Sequence, residues 1–153
     1  MEHIYQASDL SAKRRELMNA ARADVAQIRD TDGTGLVLLT QKKFEFLRSL
    51  RDHFSRFVTL EAGLERPASE RRVTDLGEFA WLAVFDADDQ RAFRSELLQA
   101  FMRAVALESV APIDSCIEDW RTTARALSND KSRRILTAPG DDPGAFEEVT
   151  RPE

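Results

Sequence analysis

The chain has 153 residues, of which 42% are hydrophobic and 32% are charged, and this is the composition of a globular protein rather than a disordered or fibrous one. It contains six Gly and five Pro, and aromatic residues make up 8%, which excludes a turn-rich β-sandwich and predicts that helix dominates. The single cysteine excludes an intramolecular disulfide and a multi-cysteine zinc site.

The sequence contains no apolar run close to the roughly 18 residues that a membrane span needs. Its first residues, Met-Glu-His-Ile-Tyr, have neither the basic part nor the apolar part of a signal peptide. We therefore expect a cytoplasmic protein without a membrane partner.

Charge is distributed unevenly along the chain, whose net charge is −5. Residues 1–60 contain ten Lys and Arg against eight Asp and Glu, so they carry +2 and the remaining residues carry −7. A nucleic acid would be attracted to the first part and repelled by the second, so the asymmetry points to two different binding roles.

The first sixty residues predict a strand, a helix, a β-hairpin and a second helix. We expect a short strand over 3–7 and a helix over 8–23, with Ser8 or Ser11 as its N-cap. The turn sequence over 30–33 lies between a short β-branched run at 25–28 and an apolar strand at 35–40, which indicates a hairpin. Apolar residues at spacings of three and four then predict a helix from 41 to 60.

Residues 61–78 are rich in charge and contain two Gly and a Pro, so we interpret them as a linker. Beyond the linker, a helix is expected to begin near residue 88, and Asp86, Asp88 and Asp89 suit its N-terminus as capping residues. Pro112 fits the first turn of a further helix. This helix is expected to pack against the helix that begins near residue 88, as a helical hairpin. The prediction is thus an α+β chain with a front domain at 1–60, an all-helical domain at 79–136 and an acidic tail at 137–153.

No set of residues predicts catalysis, a metal site or a cofactor. His3 and His53 lie on different elements, without the spacing of a metal or nucleophile motif. The sequence from Asp30 to Gly33 begins like a calcium loop, but the twelfth position is Gln41 instead of the bidentate Glu, so a hairpin turn is the better interpretation. We therefore expect a protein that is not an enzyme.

Basic residues in the front domain form the candidate DNA-binding set. Three consecutive cations on the first predicted helix fan over roughly 200°, so at least one of them must point to solvent. Further arginines follow on this helix and on the next strand, and together they would make a basic edge that contacts phosphates, although a simple solvated face is the alternative. The set is Lys13, Arg14, Arg15, Arg22 and Arg29.

The most apolar stretch of the chain runs from Phe79 to Phe85. A module of about 60 residues buries proportionally little surface, and seven consecutive apolar residues exceed what one helix face can bury. The stretch is therefore either the core of a helical domain or a surface that a partner covers.

The front of the chain resembles the prevent-host-death (Phd/YefM) antitoxin family. Residues 11–17, Ser-Ala-Lys-Arg-Arg-Glu-Leu, are similar to the family's alanine–arginine helix, and Gln27-Ile28-Arg29 precedes a glycine turn at Gly33. The apolar strand at 36–39 and Lys-Phe-Glu-Phe-Leu at 43–47 follow in the family's order, so the resemblance covers residues 3–58. Residues 81–89 and 118–127 resemble a small helical domain found beside such modules in actinobacterial proteins.

The resemblance implies a type II antitoxin, whose front part forms a homodimer and binds operator DNA and whose back part binds and neutralises a toxin. The acidic tail suits a basic, ribonuclease-like toxin. Within this interpretation, seven apolar side chains of the back half are expected to hold the toxin: Phe79, Trp81, Leu82, Phe85, Phe93, Leu97 and Phe101.

Two features depart from the family. The hairpin turn carries Asp30 and Asp32 where the family has basic residues, which predicts weaker binding to phosphates. A helical domain replaces the family's short toxin-binding segment. The alternative function is therefore a stand-alone dimeric DNA-binding regulator without a toxin.

Overall fold

The computed structural model describes residues 3–137. Its elements are strand β1 (Ile4–Gln6), helices α1 (Asp9–Ala12) and α2 (Arg14–Ala23), strands β2 (Ala26–Arg29) and β3 (Gly35–Leu38), helix α3 (Gln41–Leu64), a 3-10 segment (Val73–Val84), and helices α4 (Ala87–Leu107) and α5 (Ala111–Thr137). Helix dominates and the three strands form one small sheet, so the expected α+β class is confirmed. Residues 138–153, nearly all of the predicted acidic tail, lie outside the described residues.

The sheet has the order β1-β2-β3, with β1 parallel and β3 antiparallel to β2. The predicted hairpin is confirmed: Ile28 pairs with Leu36 across it, and Gly33 adopts a φ of 87° in the turn. A left-handed φ of this kind costs glycine little because it has no Cβ. Strand β3 forms one edge of the sheet and carries exposed Leu36 and Val37.

Two hydrophobic clusters form the interior. The smaller cluster lies between α2 and the sheet and is built by Tyr5, Leu17, Ala21, Ala26 and Ile28. The larger cluster lies in the helical part of the chain, and its largest fully buried side chains are Leu60, Leu76, Leu82, Phe93, Leu97 and Ile113. Burial of such side chains is the main stabilising contribution to each cluster.

The strands differ from the sequence-based expectation by one or two residues at their ends, and two helices and the predicted linker differ more. The helix predicted over 8–23 is broken at Lys13, whose backbone (φ −122°, ψ 32°) is not helical. Helix α3 continues past residue 60 to Leu64, because Leu60 and Gly63 are buried against the 3-10 segment. The predicted linker at 61–78 therefore contains the last turn of α3 and the first half of that segment, with Leu76 in the core.

The predicted helix starts in the back half are close to those observed. Asp86 is the N-cap of α4, and its carboxylate accepts hydrogen bonds from the backbone N–H groups of Asp88 and Asp89, each at 2.9 Å. Pro112 lies in the first turn of α5, where its missing N–H breaks no helical hydrogen bond. Asp86 is thus a capping residue, as the sequence predicted.

Candidate protein-binding groove

The seven side chains predicted to hold a toxin lie mostly inside the molecule. Six of them, all except Trp81, have exposed fractions of 9% or less and belong to the larger cluster. Trp81 is partly buried and packs edge-on against Phe93, with ring centroids 5.3 Å apart. Of the two interpretations of this apolar stretch, the structure favours the core, because these side chains present little surface to a partner.

Helices α3 and α4 run antiparallel. At one end Lys43, near the start of α3, forms an ion pair with Glu108 after the end of α4 (3.6 Å), and toward the other end Glu61 forms one with Arg94 (2.5 Å). Phe57 of α3 and Phe101 of α4 contact each other between the helices, with ring centroids 5.5 Å apart.

An open apolar groove of about 670 Å³ lies along these two helices. Arg51 is the single charged residue in its lining, which otherwise consists of apolar side chains. The lining is Leu47, Leu50, Arg51, Phe54 and Phe57 from α3 with Leu98, Phe101, Met102 and Val105 from α4.

The side chains at the rim of this groove are strongly exposed for their size. Phe54 is 56% exposed, Leu98 51%, Met102 69% and Val105 59%. Contiguous apolar patches of this kind on soluble proteins mark binding sites for proteins or other ligands. The groove is therefore the best candidate for a functional surface among residues 3–137.

The sequence contains a pattern of apolar residues that indicates this groove. Phe93, Leu97 and Ala104 already supply one buried face of α4, and Leu98, Met102 and Val105 repeat at spacings of four and three on a second face. A helix that is apolar over more than one stripe needs more than one packing partner. The same holds for α3, where Phe44, Leu47, Phe54 and Val58 are all exposed.

Charge near the groove is balanced. Arg51 donates hydrogen bonds to the carboxylate of its neighbour Asp52, the shorter at 2.8 Å. This hydrogen bond is the main reason why the pKa of Asp52 lies below its usual value, and the nearby positive charges of Arg51, Arg48 and Arg56 add to the effect. Both side chains remain accessible, with 75% of Arg51 and 47% of Asp52 exposed.

All five residues of the candidate DNA-binding set are exposed. Lys13 pairs with Asp9 at 3.4 Å, Arg22 donates to Asn19, and Arg29 donates to the carbonyl of Gly33 in the hairpin turn. Arg14 and Arg15, the first residues of α2, form no ion pair or hydrogen bond through their side chains with any residue that the structure describes. These two guanidinium groups are therefore open to a ligand.

The acids of the hairpin turn are engaged locally. Asp30 accepts from the backbone N–H of Thr31 at 2.7 Å, and Asp32 accepts from that of Thr34 at 2.8 Å. The latter hydrogen bond holds the pKa of Asp32 below its usual value. Both carboxylates thus stabilise the turn, as the hairpin interpretation requires.

A second, polar pocket of about 250 Å³ surrounds His53, whose Nε2 lies 3.1 Å from Asp114. Ion pairs between Arg56 and Glu78 and between Arg121 and Glu118 line it. Its lining contains no Ser, Thr or Cys that could act as a nucleophile.

Cys116 lies elsewhere, in the core. Burial raises the pKa of its thiol to about 11, and the charge of Glu96 adds to the effect. Since the thiolate is the reactive form, this thiol is a packing residue at neutral pH.

Over residues 3–137, no group of three or more His, Cys, Asp and Glu side chains is arranged to hold a metal ion. No helix in this part of the chain combines the length and apolar character of a membrane span. Comparison with family models, with curated proteins and with solved structures finds no match for this chain.

Proposed function

We propose that this chain is the antitoxin of a type II toxin–antitoxin system, which neutralises a basic, ribonuclease-like toxin by binding it directly and represses its own operon. The observation that carries the proposal is the apolar groove between α3 and α4, because an exposed apolar surface of this kind supports binding of a partner protein. The proposed contact surface thus moves from the buried Phe79–Phe85 stretch to the groove.

The shape of the groove indicates how a partner would bind. Two long antiparallel helices form its walls, and an aromatic pair, Phe57 and Phe101, lies at its base. An amphipathic helix of a partner can place apolar side chains into such a groove, in the same way as other helix-in-groove complexes. Met102, with its flexible and polarisable side chain, suits a surface that adapts to a partner.

Electrostatics supports a basic toxin. The net charge of −5 would accelerate the encounter with a cationic protein, and the charges that are far from the groove would act mainly on the association rate. The apolar side chains of the groove would instead determine how slowly the complex dissociates.

The decisive experiment is co-expression with the product of the reading frame adjacent to this gene. The wild-type chain should relieve growth arrest by that protein, and Met102→Glu should lower its affinity by roughly 30-fold or more, as expected for a hot-spot residue. Val73→Glu is the matched control, because Val73 is 55% exposed but lies on the 3-10 segment outside the groove. If the wild-type chain neutralises no neighbouring protein, the antitoxin proposal fails.

One observation favours the second candidate, a DNA-binding regulator: Arg14 and Arg15 are exposed and unpartnered at the start of α2. Changing both to Ala should weaken binding to the protein's own promoter. It should also reduce the slope of the logarithm of the binding constant against the logarithm of the salt concentration, by about 0.9 for each phosphate that is no longer neutralised. Promoter binding without neutralisation of a toxin would select the regulator. An unchanged salt slope in the double variant would remove these arginines from the DNA site.

A further inference from the structure

The exposed face of α3 has the pattern of a helix that packs against another helix. Phe44, Leu47, Arg51, Phe54 and Val58 follow one another at alternating spacings of three and four residues. This is the heptad spacing that aligns side chains along one seam of a helix. Four of the five are large apolar side chains, each 48–56% exposed.

Helix α4 extends this face. Leu98, Met102 and Val105 lie beside the α3 seam across the groove, so two antiparallel helices share one exposed apolar side. A pair of antiparallel helices with one uncovered side is half of a four-helix bundle, and a second identical pair completes it. We propose that in the free protein a second copy of this chain covers the groove, so that α3 and α4 of both copies form such a bundle.

The available area matches this occupant. A fully covered aromatic side chain buries roughly 150–250 Å², so the half-exposed Phe44 and Phe54 offer on the order of 100 Å² each. A fully covered Val, Leu or Met side chain buries less, roughly 60–120 Å², so five half-exposed side chains of this kind offer on the order of 50 Å² each. The seven side chains together supply roughly 450 Å² of apolar surface per copy, close to the apolar share, a little over half, of the roughly 800 Å² per partner of a stable interface. They are Phe44, Leu47, Phe54, Val58, Leu98, Met102 and Val105.

The charge on the seam is neutralised within each copy. Arg51 is the one charged residue of the seam, and it donates hydrogen bonds to Asp52, which lies about 100° further round α3. Two identical seams therefore do not bring unpaired charges of one sign together around a twofold axis.

The interface proposed in this way differs from a dimer made by residues 1–60 alone, because α4 is a necessary part of it. It also gives the groove a regulatory role, which depends on the proposed function: a toxin in the groove would compete with the second copy. The free antitoxin would then be a dimer with its groove covered, and toxin binding would separate the copies at this face.

Sedimentation equilibrium of the full chain, with no toxin present, tests the dimer. The wild type should be dimeric at micromolar concentration, and Met102→Glu should raise the dissociation constant by roughly 30-fold or more. Val73→Glu should leave the dissociation constant unchanged. Since both side chains are largely exposed, both variants should keep the wild-type circular dichroism.

A monomeric wild type would overturn the proposal. A dimer that Val37→Glu on β3 disrupts and Met102→Glu does not would also overturn it, because the interface would then lie in the sheet. Neither result depends on neutralisation of a toxin, so failure of this inference is distinguishable from failure of the proposed function.

Discussion

Asp75 shows how one side chain fixes a junction between elements. Its carboxylate accepts a hydrogen bond from the backbone N–H of Arg72 at 2.9 Å and forms an ion pair with Arg66 at 3.1 Å. The backbone hydrogen bond is the main cause of a lowered pKa for Asp75, and the positive charges of Arg66 and Arg72 contribute. The ionised carboxylate therefore holds the start of the 3-10 segment next to the end of α3.

The lowered pKa gives a pH-dependent prediction for Asp75→Asn. A carboxyl whose pKa is lower in the folded state stabilises the fold fully at pH values above its unfolded pKa of 3.8, and this stabilisation is lost as the pH falls through the folded value. We expect the variant to have a smaller free energy of unfolding at pH 7, and the difference from wild type to disappear at strongly acidic pH.

Urea unfolding at a series of pH values measures this difference, with Asp119→Asn as the control because Asp119 is exposed and forms no ion pair through its side chain with the rest of residues 3–137. A difference that stayed constant down to acidic pH would show that Asp75 acts through packing instead of charge.

At the residue scale, the sequence identified large apolar side chains but not which of them the fold buries. Phe93 and Leu97 were predicted to hold a toxin, and they are fully buried. Met102 and Phe54 have the same chemistry and periodicity and are exposed. Hydrophobicity measures the cost of exposure, but which neighbours remove that exposure depends on helix packing.

Gly63 shows how closely helix α3 approaches the 3-10 segment. A Cβ placed on Gly63 would lie 2.3 Å from the backbone oxygen of Asp75 and 2.9 Å from its carbonyl carbon. The absence of a side chain therefore lets the last turn of α3 approach the 3-10 segment at backbone distance. This close approach is what turns the predicted linker into packed structure.

Gly63→Ala should destabilise the protein despite its favourable effect on helix propensity. Alanine is better than glycine by about 1 kcal/mol inside a helix, but displacing backbone to relieve overpacking costs about 1–3 kcal/mol. Gly35→Ala is the control, since a Cβ there meets nothing within 4 Å. Urea denaturation should give a lower midpoint for Gly63→Ala, and a higher midpoint would contradict the close approach.

At the element scale, most of the helices and strands were predicted from periodicity and capping. Asp86 as N-cap of α4, the hairpin turn at Gly33 and the helical periods of α3 to α5 depend on neighbours within a few residues, which sequence shows directly. The break at Lys13 and the 3-10 conformation of 73–84 had no such local signal. Gly77, with a φ of 57°, bends this segment where Thr59 of α3 lies close to it.

On the scale of the whole molecule, the two hydrophobic clusters have no residue in common. Lys43 pairs with Asp24 from the end of α2 and with Glu108 from the end of α4, and the hydrogen bond with Asp24 is the main reason why the pKa of Lys43 is raised. Such accessible ion pairs contribute little to stability. We therefore expect the two clusters to open separately.

Leu17→Ala tests this expectation. Leu17 is 1% exposed in the smaller cluster, so the cavity should cost about 2–5 kcal/mol. Native-state hydrogen exchange should accelerate for amides of β2 but not for those of α5, and Leu97→Ala should give the opposite pattern. Equal acceleration of both regions by either variant would show a single cooperative unit.

The sequence by itself determined the class of the fold and nearly all of its elements. Composition favoured helix, and the spacing of apolar residues separated strands from helices, because period and turn chemistry are properties of neighbouring residues. The sequence also predicted an exposed basic start of α2, because three consecutive cations cannot all be buried on one helix.

Only the tertiary structure decided which apolar faces are covered. It placed Phe79, Leu82 and Phe85 in the core and left the faces of α3 and α4 open along a groove. The physical reason is that burial is a property of pairs of elements: a side chain is removed from water by the neighbour that packs on it, and that neighbour is far away in the sequence. The surface on which the proposed function depends is the apolar area that remains exposed after the elements have packed against one another.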